Sequence, residues 1–139
     1  MSVPRVPRGQ NISDMQARMA ASYVPRHGQA TVAATGNPAI TDPATGDTLP
    51  GGLFYPGDRN LHTVVVQGTF TATLSVQGSQ DNETFQTLIP DATPAGTQTS
   101  GAISAVGIFT YRGNYKSLRV NCSAYTSGTA TVLIESTRQ

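Results

Sequence analysis

The side chains best suited to nucleophilic or acid–base chemistry in this sequence are Cys122, His27 and His62. Catalysis of that kind needs a nucleophile and a base that the fold brings within hydrogen-bond reach. No spacing marks a serine or an aspartate as the partner of either histidine. Cys122 alternates with Leu118 and Val120, a pattern that predicts a buried small side chain rather than a reactive thiol. We therefore predict that the protein is not an enzyme.

The sequence also lacks recognisable motifs for binding a metal or a cofactor. Two histidines and one cysteine without close spacing do not make a zinc pattern. The acidic turn at residues 79–83 carries oxygen ligands but lacks the spacing of a calcium loop. No glycine-rich loop of the kind that holds phosphate occurs. We expect no metal and no cofactor.

Three tyrosines are the candidates for a ligand-binding rim. Tyr111, Tyr115 and Tyr125 fall at or near predicted hairpin ends, with Arg112 and Asn114 beside them. β-Sandwich domains often bind sugars on aromatic side chains at such loop ends, so these residues form a candidate glycan rim. The alternative is that Tyr111 and Tyr125 only close the ends of the fold.

Amino-acid composition indicates which classes of partner to expect. Charged residues make up 12% of the 139 residues and the net charge is +1, which is too balanced for a nucleic-acid-binding protein. No stretch approaches the roughly 20 apolar residues of a membrane span, and the N-terminus lacks a secretory signal pattern. We expect a polar surface that meets other proteins, with no nucleic-acid or membrane partner, and synthesis in the cytoplasm.

Residues 1–57 are predicted to form an extended N-terminal arm. The run VPRVPR at 3–8 favours a polyproline-like path, because proline fixes φ and restricts the preceding residue. Residues 25–58 hold five prolines and six glycines, which leaves little to build a core from. Ordering a backbone costs about 1–2 kcal/mol per residue, so contacts beyond the arm have to offset that cost. The pattern is typical of an assembly protein.

One short helix is predicted near residues 14–23. Ser13 is a candidate N-cap, and Gln16 three residues later is its capping-box partner. The apolar positions i, i+4 and i+8 then form one narrow stripe, made by Met15, Met19 and Tyr23. A helix this short is marginal alone. The stripe is therefore expected to pack either on the β-domain of its own chain or on a neighbour.

The contact residues of the arm are predicted from its few charged and apolar side chains. Four arginines face a single acid, Asp14, in residues 1–30, and such arginines can reach acidic groups on a partner or remain solvated. Leu53–Tyr55 is the one apolar cluster of residues 25–58 and is predicted to anchor the arm on the domain. The candidate partner-binding residues are Arg5, Arg8, Met15, Met19, Tyr23, Leu53, Phe54 and Tyr55.

Residues 58–139 are predicted to form an antiparallel β-sandwich domain of jelly-roll or immunoglobulin-like kind. Threonine and serine alternate with Phe70, Ala72, Leu74 and Val76, which is typical of a half-buried strand. Six short strands are expected in all, with a break at Gly68 and a hairpin over residues 125–128. The fold class is therefore all-β, preceded by the long arm and its short helix.

Two stretches carry a resemblance to a known class of protein. They are GTFTATLSVQGSQDNETF at 68–85 and GIFTYRGNYKSLRVNCSAYTSGTATVLIES at 107–136, with the phrases VQGSxD and LRVxxSAYTSG as the most telling parts. The region 64–136 resembles a β-sandwich domain found in small structural proteins of tailed bacteriophages. Such domains serve capsid decoration, tail or baseplate parts, and fibre modules. The resemblance implies no catalytic or ligand residue.

These observations lead to a functional expectation. We expect a virion structural protein made in the host cytoplasm, and specifically a capsid decoration or cement protein. It would sit on the head shell as a homo-oligomer, with a trimer favoured, and lay its arm across the major capsid protein or other virion proteins. The alternative is a tail, baseplate or fibre component whose β-sandwich binds host surface polysaccharide.

Overall fold

The computed structural model describes residues 26–91 and 100–138, and this part of the chain forms five β-strands and one 3₁₀ turn. All strand pairings are antiparallel, which confirms the all-β antiparallel class. The sandwich type stays a prediction, and the helix near 14–23 lies outside the described residues. The elements are β1 (Arg26–Val32), the 3₁₀ turn (Pro50–Gly52), β2 (Leu61–Ser79), β3 (Phe85–Thr87), β4 (Gly107–Arg112) and β5 (Ser117–Thr137).

A long two-stranded ribbon is the centre of the fold. The 19 residues of β2 pair with the 21 residues of β5 along their full length. At one end of the ribbon, β1 pairs with the free edge of β5 and β4 pairs with the free edge of β2, which makes a four-stranded face in the order β1-β5-β2-β4. At the other end, β3 pairs with residues 77–79 of β2.

The predicted break at Gly68 and hairpin over 125–128 are wrong, because both strands continue through these positions. Gly68 and Gly128 do have positive φ, of 110° and 88°. A Cβ atom on Gly68 would collide with the carbonyl oxygen of Thr129, and one on Gly128 with that of Thr69. The two glycines therefore allow a close approach between paired strands, rather than ending them.

The ribbon doubles back on itself. His62 and Gly78 are sixteen residues apart in β2, a separation of about 53 Å in an extended strand. Both nevertheless lie against the ring of Tyr115. The rings of His62 and Tyr115 are 5.9 Å apart between centroids, and a Cβ on Gly78 would lie 2.7 Å from Tyr115 Cδ1. The two ends of β2 therefore face each other.

The core lies inside this folded ribbon. Even-numbered residues of β2 and β5 are buried at both ends, and the apolar side chains among them belong to one cluster. The pairing skips residue 126 and then residue 123 of β5, and each one-residue skip exchanges the faces of that strand. Two skips restore the original face. Val120 and Cys122 thus point to the same side of the ribbon as Val132 and Ile134.

Residues 33–60 close the core from outside the ribbon. Ile40 and Phe54 from this segment are both buried in the central cluster. Phe54 exchanges two backbone hydrogen bonds with Leu118 of β5, at 2.9 and 2.8 Å. A Cβ on Gly28 of β1 would lie 2.7 Å from Phe54 Cδ1. The segment therefore connects β1, at one end of the ribbon, with β5 at the other.

Candidate functional surfaces

The predicted anchor Leu53–Tyr55 lies on the β-domain, but its three residues play different parts. Phe54 is 1% exposed and belongs to the core. Leu53 and Tyr55 are half-buried. The Tyr55 hydroxyl donates to the carbonyl of Pro50 at 2.9 Å, across the 3₁₀ turn. The cluster Leu53–Tyr55 therefore anchors residues 26–57 on the domain. The first strand of this segment, β1, is itself part of the sheet.

A cleft of about 510 Å³ opens beside this anchor, where β1 begins. Its walls are mainly apolar and include Leu49, Phe54 and Tyr55, while its charged groups include Arg26 and Asp42. Arg26 Nη1 donates to the carbonyl of Tyr55 at 3.1 Å, so the guanidinium holds one wall in place. The cleft can accept an apolar side chain. It lies next to the point where residues 1–25 join the described chain.

His62 is a buried structural residue. Its Nε2 lies 2.9 Å from the carbonyl of Gly113 and its Nδ1 lies 2.6 Å from the hydroxyl of Ser136. Because a carbonyl only accepts, Nε2 carries the proton and Nδ1 accepts from Ser136. Burial lowers the pKa of His62, so the ring is neutral. His62 and Ser136 are both 0% exposed, so no substrate reaches this serine–histidine pair.

Sequence reasoning missed Ser136 as the partner of His62. The signal was present, because Ala130, Val132 and Ile134 alternate toward the core and Ser136 is the next position in that series. Only the pairing of β2 with β5, which sets Ser136 opposite His62, connects the two residues.

The three tyrosines of the candidate glycan rim have different environments. Tyr111 is 1% exposed, and burial raises the pKa of its hydroxyl, so it does not contribute to an exposed platform. Tyr115 packs on His62 and is half-buried. Tyr125 donates its hydroxyl proton to the carbonyl of Gly128 at 2.8 Å. Tyr115 and Tyr125 thus keep partial exposure, while Tyr111 fills the core.

The acidic turn after β2 is held by its own hydrogen bonds. Asp81 Oδ1 accepts from the backbone amides of Glu83 and Thr84 at 2.9 and 2.8 Å, and from the hydroxyl of Ser79 at 2.9 Å. The two amides and the hydroxyl stabilise the carboxylate and lower the pKa of Asp81 to about 2. Asn82 adopts a left-handed φ of 65°, as turn asparagines commonly do. Oδ1 therefore caps the turn.

The remaining reactive groups do not gather into a centre. Cys122 is buried, as its alternation predicted, and its Sγ lies 3.3 Å from the carbonyl of Ala124. Within residues 26–91 and 100–138, no three histidine, cysteine, aspartate or glutamate side chains are grouped to hold a metal ion. No helix in that part of the chain has the length and apolarity to span a membrane.

Five of the predicted partner-binding residues lie outside the described residues: Arg5, Arg8, Met15, Met19 and Tyr23. They remain predictions from the sequence.

Three of the solved structures that align with this chain come from different sources. The SPBc2 prophage-derived protein YomS aligns with a TM-score of 0.56 and 14% identity, over 82% of this chain and 96% of that protein. AlgX of Pseudomonas aeruginosa aligns with a TM-score of 0.41 and 10% identity, over 79% of this chain and 26% of AlgX. The capsid asymmetric unit of cyanophage Pam1 aligns with a TM-score of 0.28 and 21% identity, over 85% of this chain and 87% of that chain.

No family model and no curated protein matches the sequence. The alignment with YomS shows a likeness of fold alone, because the sequence identity is 14%.

Proposed function

We propose that this protein is a structural component of a tailed-phage virion, and specifically a capsid decoration or cement protein. The observation that carries this proposal is the prophage origin of YomS, which shares the fold over 82% of this chain. The resemblance of residues 64–136 to small phage structural proteins supports it independently.

The chemistry of the described residues supports a structural role rather than a catalytic one. Both ring nitrogens of His62 are hydrogen-bonded inside the core, to Gly113 and Ser136, and Cys122 is buried in the apolar cluster. The strand surfaces are rich in threonine and carry few charges. Such surfaces suit broad polar contacts with other proteins.

The proposed arrangement places the folded ribbon, as a two-layer sandwich, on the outer surface of the head. Three copies would form a trimer, and residues 1–12 of each would extend across neighbouring subunits of the major capsid protein. Extended segments bind through backbone hydrogen bonds and a few side-chain contacts along their path. Arg5 and Arg8 are the charged groups of this segment and would meet acidic groups of the shell.

The test is binding to particles assembled without this protein. The full-length variant Arg5→Ala/Arg8→Ala is compared with Lys116→Glu, because both change the net charge by the same amount and Lys116 is exposed on the β-domain. Co-sedimentation should show at least about a tenfold loss of affinity for the arginine variant, since two charged interface contacts of roughly 1 kcal/mol each are removed. Lys116→Glu should bind like the wild type.

A wild-type protein that fails to bind such heads, or an arginine variant that binds unchanged, would overturn the proposal in this form. Binding to purified tails instead of heads would move the protein to the tail.

A further inference from the structure

A cleft of about 290 Å³ opens where the end of β2 meets Tyr115. Small-molecule clefts commonly have volumes of roughly 300–1,000 Å³, so this one has room for a single small ligand unit. Its lining comes from residues 78–88 and from Tyr115, which lies between β4 and β5. The lining side chains include Gln80, Asp81, Thr84 and Gln86. The cleft therefore combines an aromatic ring with amide, hydroxyl and carboxylate groups.

Tyr115 forms a fixed aromatic wall of this cleft. Its ring lies 5.9 Å from that of His62, between centroids. It also packs on two glycines, because a Cβ atom would lie 2.7 Å from Cδ1 of the ring at Gly78 and 3.0 Å from Cε2 at Gly113. Tyr115 is half-buried, so part of its side chain stays open to a ligand. Aromatic faces carry partial negative charge, which attracts the weakly positive C–H groups of a sugar ring.

Several polar groups of the cleft have free hydrogen-bonding positions. Gln80 Nε2 donates to the carbonyl of Asn114 at 2.6 Å, which ties the turn after β2 to the connection between β4 and β5. Among the described residues, no partner is present for Gln80 Oε1, the side-chain amide of Gln86 or the hydroxyl of Tyr115. A ligand therefore meets an acceptor, a hydroxyl, and an amide that both donates and accepts.

Asp81 adds an ionised acceptor to the lining. The three hydrogen bonds that cap the turn all end on its Oδ1, and Oδ2 has no partner within residues 26–91 and 100–138. Because these bonds lower the pKa of Asp81 to about 2, the carboxylate is charged at neutral pH. Asp81 is the one charged residue among the described lining residues. The cleft therefore favours hydroxyl donors and repels anions.

The backbone around the cleft favours a saccharide over an extended peptide. A peptide that adds to a sheet needs a strand with a free edge. Gly78 and Ser79 of β2 are paired with β3 on one side and with β5 on the other. Saccharide hydroxyls need no such edge, because each one can donate to and accept from side chains.

We propose that this cleft binds one unit of a neutral saccharide, with the sugar ring against Tyr115 and its hydroxyls hydrogen-bonded to Asp81, Gln80 and Gln86. An uncharged sugar suits the site, because a uronate or sulfated unit would face the Asp81 carboxylate. The inference does not rest on a role in the capsid. Its test uses the free protein and soluble sugars, so its failure is distinct from a failure to bind heads.

Titration of the full-length protein with soluble methyl glycosides tests this site. The panel contains neutral hexosides and N-acetylhexosaminides, with a methyl hexuronide as the anionic probe. At least one neutral glycoside should bind with a dissociation constant on the order of 1 mM, as expected for a ligand this small. The hexuronide of the same configuration should bind at least about tenfold more weakly, because two negative charges then meet. Amide NMR shifts should locate the binding at residues 78–88 and Tyr115.

Two conservative variants with matched controls assign the binding to the cleft. Gln86→Ala and Tyr115→Phe should each weaken binding by about fivefold, because each removes one hydrogen bond. Gln67→Ala and Tyr125→Phe change the same residue types outside the lining and should bind like the wild type. Gln67 and Gln86 are both exposed, which makes that pair closely matched. A native amide spectrum establishes that each variant is folded.

Absence of binding by every neutral glycoside, or binding of the hexuronide alone, would overturn the proposal. Equal weakening by Gln67→Ala or Tyr125→Phe would do the same, as would binding that neither Gln86→Ala nor Tyr115→Phe weakens. Shifts confined to amides outside the lining would place the sugar elsewhere and contradict the proposed site.

Discussion

At the scale of single residues, the buried His62 has a hydrogen-bond partner for each of its two ring nitrogens. His62 links the start of β2 to Gly113, which follows β4, and to Ser136 of β5 through hydrogen bonds of 2.9 and 2.6 Å. Both ring nitrogens are occupied, so the neutral ring is fully satisfied, whereas a protonated ring would lose its bond from Ser136. The lowered pKa of His62 follows from the same burial.

Stability should therefore fall as the pH drops below about 6.5, the ordinary value for histidine. His62 stays neutral in the folded state while the unfolded chain takes up a proton, so acid favours unfolding. We expect His62 to contribute a loss of stability from pH 7 to pH 5 with a slope of at most about 1.4 kcal/mol per pH unit. Urea unfolding at a series of pH values measures this slope.

The variant His62→Gln is the control for this prediction. It keeps a donor for Gly113 but does not titrate, so its stability should change less between pH 7 and pH 5 than that of the wild type. All other titratable groups are the same in both proteins, so the difference between the two slopes reports His62. Asp81 acts in a separate window, because its pKa is lowered to about 2 and its contribution disappears only as the pH falls below its ordinary 3.8. Identical slopes would contradict the neutral buried state of His62.

At the scale of elements, the path of the ribbon depends on Gly68 and Gly128. Each adopts a positive φ where the other strand's backbone comes close. Neither position tolerates a Cβ, because the space it would fill holds a carbonyl oxygen. Two strands of this length remain paired through the fold because these glycines accommodate the local distortion.

Gly128→Ala should destabilise the protein more than Gly46→Ala. Both glycines have similar positive φ, 88° and 80°, so both substitutions carry the left-handed strain of about 1–2 kcal/mol. A Cβ on Gly46 would meet nothing within 4 Å, whereas one on Gly128 would strike Thr69. The clash should add about 1–3 kcal/mol to the loss of unfolding free energy, measured by chemical denaturation. Equal losses would show that the cross-strand contact contributes nothing.

At the scale of the whole molecule, residues 26–57 take part in the central core. Ile40 and Phe54 pack against β1, while Phe54 also pairs with Leu118 through the backbone. The segment therefore holds together strands from both ends of the ribbon. A segment placed in this way should unfold together with the strands it connects.

Phe54→Ala should lower the unfolding free energy of the whole domain by about 3–5 kcal/mol, as expected for a fully buried phenylalanine. Ile89→Ala is the control, because Ile89 is 59% exposed and its truncation should change stability by less than about 0.5 kcal/mol. Denaturation followed by the circular dichroism of the strands provides the measurement. A Phe54→Ala protein whose strands unfold as in the wild type would mean that the segment is only a docked arm.

Sequence patterns were reliable where they depend on local chemistry. Period-two alternation placed Leu74, Val76, Leu118, Val120 and Cys122 on the buried side, because a strand directs neighbouring side chains to opposite faces. The turn at 79–83 was also predicted, since aspartate and asparagine hydrogen-bond their own backbone. Glycine was misleading at 68 and 128, because the same freedom of φ serves a turn and a close strand contact.

The sequence by itself determined the all-β class, the buried face along much of β2 and β5, and the polar character of the surface, since these follow from side-chain type and local backbone preference. Only the tertiary structure decided that two 19- and 21-residue strands run unbroken, that Ser136 meets His62, and that Phe54 enters the core. The reason is physical. Each of these features depends on contacts between residues far apart in the chain, which no local pattern encodes.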